Sequence, residues 1–223
     1  MYKLKKKQNF IILRSTNAEP DISEIEESIK ECVHYIICRE GSKIPIKRSE
    51  IIKHLNTTCD TATSQVNKVI IEANKILKRV YGYKLVQVDS KSGMQYILVL
   101  TEESESLPSS VTDAHHRKVL VAALMHIFMS GAPVKEGMLN FLEEAGLLEE
   151  NDHAGRKLLT TTFTRQMYLQ FTKVTYLFHI LKNIFQWGQR AIEEVPKNFL
   201  LGKMAEVFYF LLSELFHCYA LYY

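Results

Sequence analysis

The sequence predicts a mainly α-helical fold with small β wings, organised as two winged-helix domains in tandem. Three observations carry that prediction. Apolar residues recur at steps of three and four through three successive segments of the first half, the spacing of helix faces. Two short β-prone runs around the Gly-containing stretch D-S-K-S-G (Asp89–Gly93) follow them, as a hairpin would. The same order of elements then returns after an acidic, Ser-rich stretch that contains Pro108.

Taken in order, the first 20 residues hold Lys3, Lys5, Lys6 and Lys7 and then S-T-N-A-E-P, which reads as a basic, partly disordered arm. Ile22, Ile25, Ile29, Val33 and Ile36–Ile37 predict a helix over Ile22–Arg39. Gly41 stops it, and Pro45 keeps the next residues extended. A short second helix is expected from Ser49 to Leu55, broken by Asn56-Thr57-Thr58. Val66, Val69, Ile70, Ala73, Ile76, Leu77 and Val80 share one face of a third helix over Thr63–Val80, and Lys84–Val88 with Met94–Val99 form the wing.

In the second half a helix is expected over Ala114–Met129, a second over Val134–Ala145, a polar loop over Asn151–Arg156 and a third helix over Thr162–Phe171. Val174–Tyr176 and Ile184–Trp187 are the expected strands of a second wing. Ala191–Phe208 is the closing helix, interrupted by Pro196. The boundaries are therefore an arm over 1–20, one winged helix over 21–103, a linker over 104–113, a second winged helix over 114–208 and an apolar tail over 209–223.

The 223 residues suit one large or two small domains, with 47% hydrophobic residues for a core and a net charge of +3. The sign is uneven. Residues 1–103 hold 17 Lys+Arg against 13 Asp+Glu, the remainder 11 against 12, so the first half is the better partner for phosphate. Cys32, Cys38, Cys59 and Cys218 form no C-x-x-C pair and read as reduced thiols of an intracellular protein. No secretory signal is read at the N-terminus, and no stretch reaches the roughly 20 apolar residues of a membrane helix.

Four stretches carry a resemblance. K-I-P-I-K-R-S-E-I (Lys43–Ile51), Y-G-Y-K-L-V (Tyr81–Val86), T-R-Q-M-Y-L (Thr164–Leu169) and F-Q-W-G-Q-R (Phe185–Arg190) resemble, in order, the signatures of the MAGE homology domain. The resemblance covers Ile22 to Phe208. It implies tandem winged helices and marks Pro45, Lys47, Arg48, Tyr81, Gly82, Tyr83, Arg165, Tyr168, Trp187 and Gly188 as motif or structural positions, with a pairing role for Arg165. Trp187, the only Trp, reads as a core anchor between the second wing and the closing helix. Two segments depart from the family in the same apolar direction, Tyr176–Ile184 and Tyr209–Tyr223, and are expected to touch. The first is expected to extend a strand or add a short helix.

The sequence offers no active site. No Gly-rich phosphate loop follows a strand, and no Ser-His-Asp set stands near a nucleophile turn. His115-His116 are adjacent on a helix and point about 100° apart, so helix-start histidines are the better reading than a metal pair. Glu143-Glu144 and Glu149-Glu150 read as solvated helix ends. No cofactor and no metal site is expected.

Two surfaces remain. Ile36 and Ile37 stand where, by the resemblance, MAGE domains contact a RING-type ubiquitin ligase; two core residues is the plainer reading. Lys68, Lys75, Lys78, Arg79 and Lys84, with Lys47, Arg48 and Lys53 nearby, form a basic set suited to the phosphates of double-stranded DNA, or else a solvated face. The resemblance further implies a non-catalytic adaptor similar to the family's ancestral form, the third non-SMC subunit of the SMC five–six DNA-repair complex. Such an adaptor binds a RING ubiquitin ligase subunit and a kleisin subunit, in the nucleus, with the cytoplasm left open. The competing reading is a winged-helix DNA-binding transcription regulator.

Overall fold

The computed structural model of the protein describes residues 22–90, 93–102, 113–131, 133–135, 137–175, 181–202 and 204–206. The arm over 1–20, the linker up to residue 112, the tail over 209–223 and its expected contact with Tyr176–Ile184 lie outside them.

The first half begins with α1 (Ile22–Ile37), whose apolar stripe buries Val33 and Ile36. A 3-10 turn (Glu40–Ser42) and Lys43, in the left-handed region at φ 57°, lead to β1 (Ile46–Lys47). Helix α2 (Arg48–Cys59) runs past the expected break at Asn56-Thr57-Thr58. The two threonine hydroxyls donate to the Lys53 and His54 carbonyls one turn back, so residues that favour turns are absorbed into the helix. Helix α3 (Val66–Ile76) starts three residues later than its periodicity suggests and widens into a π-helical turn over Leu77–Tyr81. Gly82, at φ 68°, ends it with its N–H on the Leu77 carbonyl, a left-handed cap that favours glycine. Strands β2 (Tyr83–Ser90) and β3 (Gly93–Leu100) pair antiparallel from Tyr83↔Leu100 to Ser90↔Gly93 and form the wing. β1 pairs with β3, so the sheet order is β1-β3-β2. Ile36, Ile51, Leu55, Val69 and Leu98 lie in the core that these elements enclose.

The second half repeats the plan. Helix α4 (Ala114–Met129) is capped by Asp113, whose carboxylate accepts the His115 N–H at 2.7 Å and the His116 N–H at 3.5 Å. The segment expected to open a helix at Val134 opens instead as β4 (Val134–Lys135), and Gly137, at φ 85°, turns the chain into α5 (Met138–Glu144). β4 pairs with β6 as β1 pairs with β3, an edge pairing that sets residues 134–135 apart from the helix.

The expected polar loop over Asn151–Arg156 is the start of the third helix. Asp152 accepts the Ala154 N–H at 2.8 Å, and α6 (His153–Lys157), a π-helical turn (Leu158–Thr162) and α7 (Phe163–Arg165) run on from it. The helix thus lies about nine residues earlier than its expected span, and Leu169, assigned to it from sequence, begins a strand. β5 (Leu169–Thr175) and β6 (Leu181–Trp187) are longer than expected and pair from Leu169↔Trp187 to Thr175↔Leu181. The sheet order is β4-β6-β5, matching the first half, so the fold is mainly α with small β wings, twice over. Helix α8 (Gln189–Glu194) stops before Pro196, and residues 197–202 and 204–206 are helical again.

Candidate docking surface and the joint between the halves

Helix α1 splits its terminal isoleucine pair. Ile36 is 0% exposed in the first core, whereas Ile37 is half-buried at its edge, because adjacent helical residues point about 100° apart. Around this end, Tyr35 stacks on His54 of α2 at 4.2 Å, and the Arg39 guanidinium lies 4.4 Å over the Tyr35 ring. Arg39 also meets Glu50 at 3.1 Å. Of the pair, only Ile37 therefore reaches the surface.

The basic set is divided as well. Lys68, Lys78 and Arg79 are exposed along α3 and the turn after it, and Lys47 and Lys53 are exposed on β1 and α2. Lys75 is paired with Glu72 at 2.7 Å. Lys84 is not part of an open face: its ammonium lies 2.9 Å from Glu193 of α8, a cross-link between the halves. Arg48 ties α2 to α3 through Asn67 at 2.8 Å.

That cross-link belongs to a larger joint, which the sequence did not reveal. Arg190 of α8 is 2% exposed and sits between the halves. Its Nε donates to the Gln166 carbonyl at 2.8 Å and its Nη2 to the Lys43 carbonyl at 3.0 Å. Its Nη1 donates to the Leu98 carbonyl and to Glu194 Oε1, each at 2.8 Å. Glu194 accepts the Tyr168 hydroxyl at 2.6 Å through its other oxygen and lies 3.7 Å from the buried Lys43 ammonium, which also bonds Glu40. Gln166 Nε2 reaches across to the Ser42 carbonyl at 3.3 Å. Burial first, and the Glu194 carboxylate second, push the Tyr168 phenol well above its ordinary range, so it stays a donor at any physiological pH.

The quoted signatures converge here. Lys43 opens the first, Lys84 lies in the second, Gln166 and Tyr168 lie in the third, and Arg190 closes the fourth. Gly188 is glycine because a Cβ would collide with the Met167 carbonyl, and its N–H bonds the Tyr168 carbonyl at 2.9 Å. The pairing role expected of Arg165 is filled by Arg190; Arg165 is exposed and has no side-chain hydrogen bond or ion pair among the described residues. Trp187, expected to anchor the second wing to the closing helix, is half-buried and ties the wing to α4, through Nε1 on the Leu124 carbonyl at 3.0 Å and with its ring against Phe128. Pro45 is half-buried in the link to β1, Tyr83 half-buried on β2, and Tyr81 exposed.

The MAGE homology domain model matches residues 32–198, three quarters of the chain and the span that holds both winged halves and the joint. The chain belongs to the MAGE homology domain family. Among its curated relatives, the human protein named "Non-structural maintenance of chromosomes element 3 homolog" is 31% identical over 194 residues, covering 82% of this chain and 62% of that protein. Human "MAGE-like protein 2" is 31% identical over 198 residues, covering 85% of this MAGE domain protein but 15% of that one. The chain thus spans less than two thirds of the length of either. A chain from a solved structure titled "Nse1-Nse3-Nse4 complex" superposes with a TM-score of 0.68 at 23% identity, over 84% of this chain and 91% of that one, and shares the fold.

Among the described residues of this MAGE domain, no cluster of three or more His, Cys, Asp or Glu is placed to hold a metal, and no helix is long and apolar enough to cross a membrane. Cys32 is buried, and burial pushes its thiol up to about 12, which keeps it unreactive.

Proposed function

We propose that this MAGE domain is a non-catalytic adaptor of an SMC five–six genome-maintenance complex in the nucleus. In this reading it holds a RING ubiquitin ligase subunit at the end of α1 and a kleisin subunit on its second half. The observation that carries the proposal is the 31% identity to the element 3 homolog across both winged halves. The solved complex with a similar chain, titled with three subunits together, supports the same pair of partners.

DNA contact has a supporting part in the proposal. Lys68, Lys78 and Arg79 suit phosphates. Two side chains on α3 that suit base reading are engaged internally: Asn67 accepts from Arg48, and Asn74 accepts the Leu85 N–H at 2.9 Å. This favours the adaptor over a sequence-reading regulator.

The test is Ile37→Asp. Its side chain is half-buried against the rim of the first core, so a thermal melt accompanies the assay, and binding of the RING subunit measured by calorimetry should fall at least about tenfold, roughly 1.4 kcal/mol, beyond any change in folded fraction. Ile36→Ala should instead cost about 2–5 kcal/mol of stability, because Ile36 is core. RING affinity unchanged by Ile37→Asp would move the dock away from α1.

A further inference from the structure

Between the end of α4, strand β6 and α8 lies an open groove of about 820 Å³. Ile127 and Phe128 of α4, Trp187 of β6, and Ile192 and Val195 at α8 give it apolar walls. Ile127 and Val195 are buried, whereas Ile192 is 59% exposed. No polar side chain among the described lining residues is buried, which does not suit the few converging polar groups of a small-molecule site. Lys197 is the only charged residue among them. A contiguous apolar surface of this kind marks a contact.

The chain itself supplies a matching segment. Residues 207–223, V-F-Y-F-L-L-S-E-L-F-H-C-Y-A-L-Y-Y, carry one charged residue, Glu214. At helical spacing Phe208, Leu212, Leu215 and Tyr219 fall on one side, and Ser213, Glu214 and His217 on the other. The segment is tethered at the groove, because Lys197 lines it and helical residues 197–202 and 204–206 follow directly. Those residues span about 15 Å, and the segment would span about 25 Å as a helix, so it is long enough to return. The tether raises its effective concentration at the groove to about millimolar. We propose that residues 207–223 seat their apolar side in this groove of the same chain, with Glu214 toward Lys197. The proposal does not rest on the adaptor reading. A partner that uses this face of the second half has first to displace the segment.

The experiment uses the full chain. Trp187 is the only Trp and lines the groove, so quenching of its emission by acrylamide reads whether the groove is covered. Leu212→Asn with Leu215→Asn should raise the quenching constant at least about twofold, as the population shifts from covered to open. Ile192→Asn, at an exposed position, should raise it as well, and should add little to the tail variant, because the contact that both belong to is then already lost. Lys197→Glu should also raise it, and Glu214→Lys in that background should bring it back toward wild type. Circular dichroism checks that each variant stays folded; if the tail variant does not, the charge swap decides. Quenching that neither the tail variant nor the charge swap moves overturns the proposal, since the segment then lies elsewhere. Additive effects of the tail variant and Ile192→Asn overturn it too. So does quenching that varies with protein concentration, together with a doubled mass in light scattering, which would seat the segment on a second copy.

Discussion

Arg190 carries five N–H donors into the buried joint, and four hydrogen bonds from three nitrogens meet three backbone carbonyls and one carboxylate. A guanidinium left unpaired there would be expensive, and the fork geometry is what lets one side chain satisfy acceptors from both halves. Glu194 is shared among Arg190, Lys43 and Tyr168, so each member fixes the orientation of the next. Tyr168→Phe should therefore cost about 1–3 kcal/mol in a denaturant melt, the cost of leaving Glu194 Oε2 unsatisfied, although the ring is kept. A loss below about half a kcal/mol would mean that water replaces the hydroxyl. The sequence hid this joint for a physical reason. Arg165 and Arg190 each stand in a polar motif, and periodicity gives no sign which guanidinium points inward when the burying surface belongs to the other half of the chain. The one local trace was the Arg190–Glu194 spacing, which places the pair on one helix face.

At the scale of elements, the long amphipathic helices were legible because their apolar stripe repeats over about three turns or more, as in α1 and α3. The errors fall where a short polar stretch decides the element: Thr57-Thr58, absorbed into α2 by back-bonding, and Asn151–Arg156, where Asp152 starts a helix that composition alone reads as loop. β4 was missed because two residues have no period, and its identity comes from its partner β6. The α4–α5 contact yields a pH prediction. His126 of α4 stacks on Phe141 of α5 at 4.2 Å, and desolvation there holds its imidazole below its ordinary value. The unfolded chain protonates this residue at about 6.5, while the folded chain resists until lower pH. The unfolded state is thus favoured as pH falls below about 6.5, and the loss levels off below the folded value. The difference in melting temperature between wild type and His126→Phe should shift against wild type from pH 7.5 to 5.5. A constant difference would show that His126 titrates normally.

At the scale of the molecule, two winged halves with the same strand order each enclose a core, and the buried polar joint fixes one against the other. Tandem architecture was readable from element order and from the four signatures, because both are sequential. The joint was not, because it consists of contacts such as Arg190 to Lys43, separated by 147 positions in the chain. The most direct test is reconstitution of the purified chain with the RING ligase subunit and the kleisin subunit of one SMC five–six complex, followed by light scattering on the eluted species. The adaptor account predicts a single complex of the three at equal stoichiometry, stable to moderate salt. A chain that takes up neither subunit, yet binds one duplex sequence in preference to others with an affinity that falls steeply with salt, would contradict it.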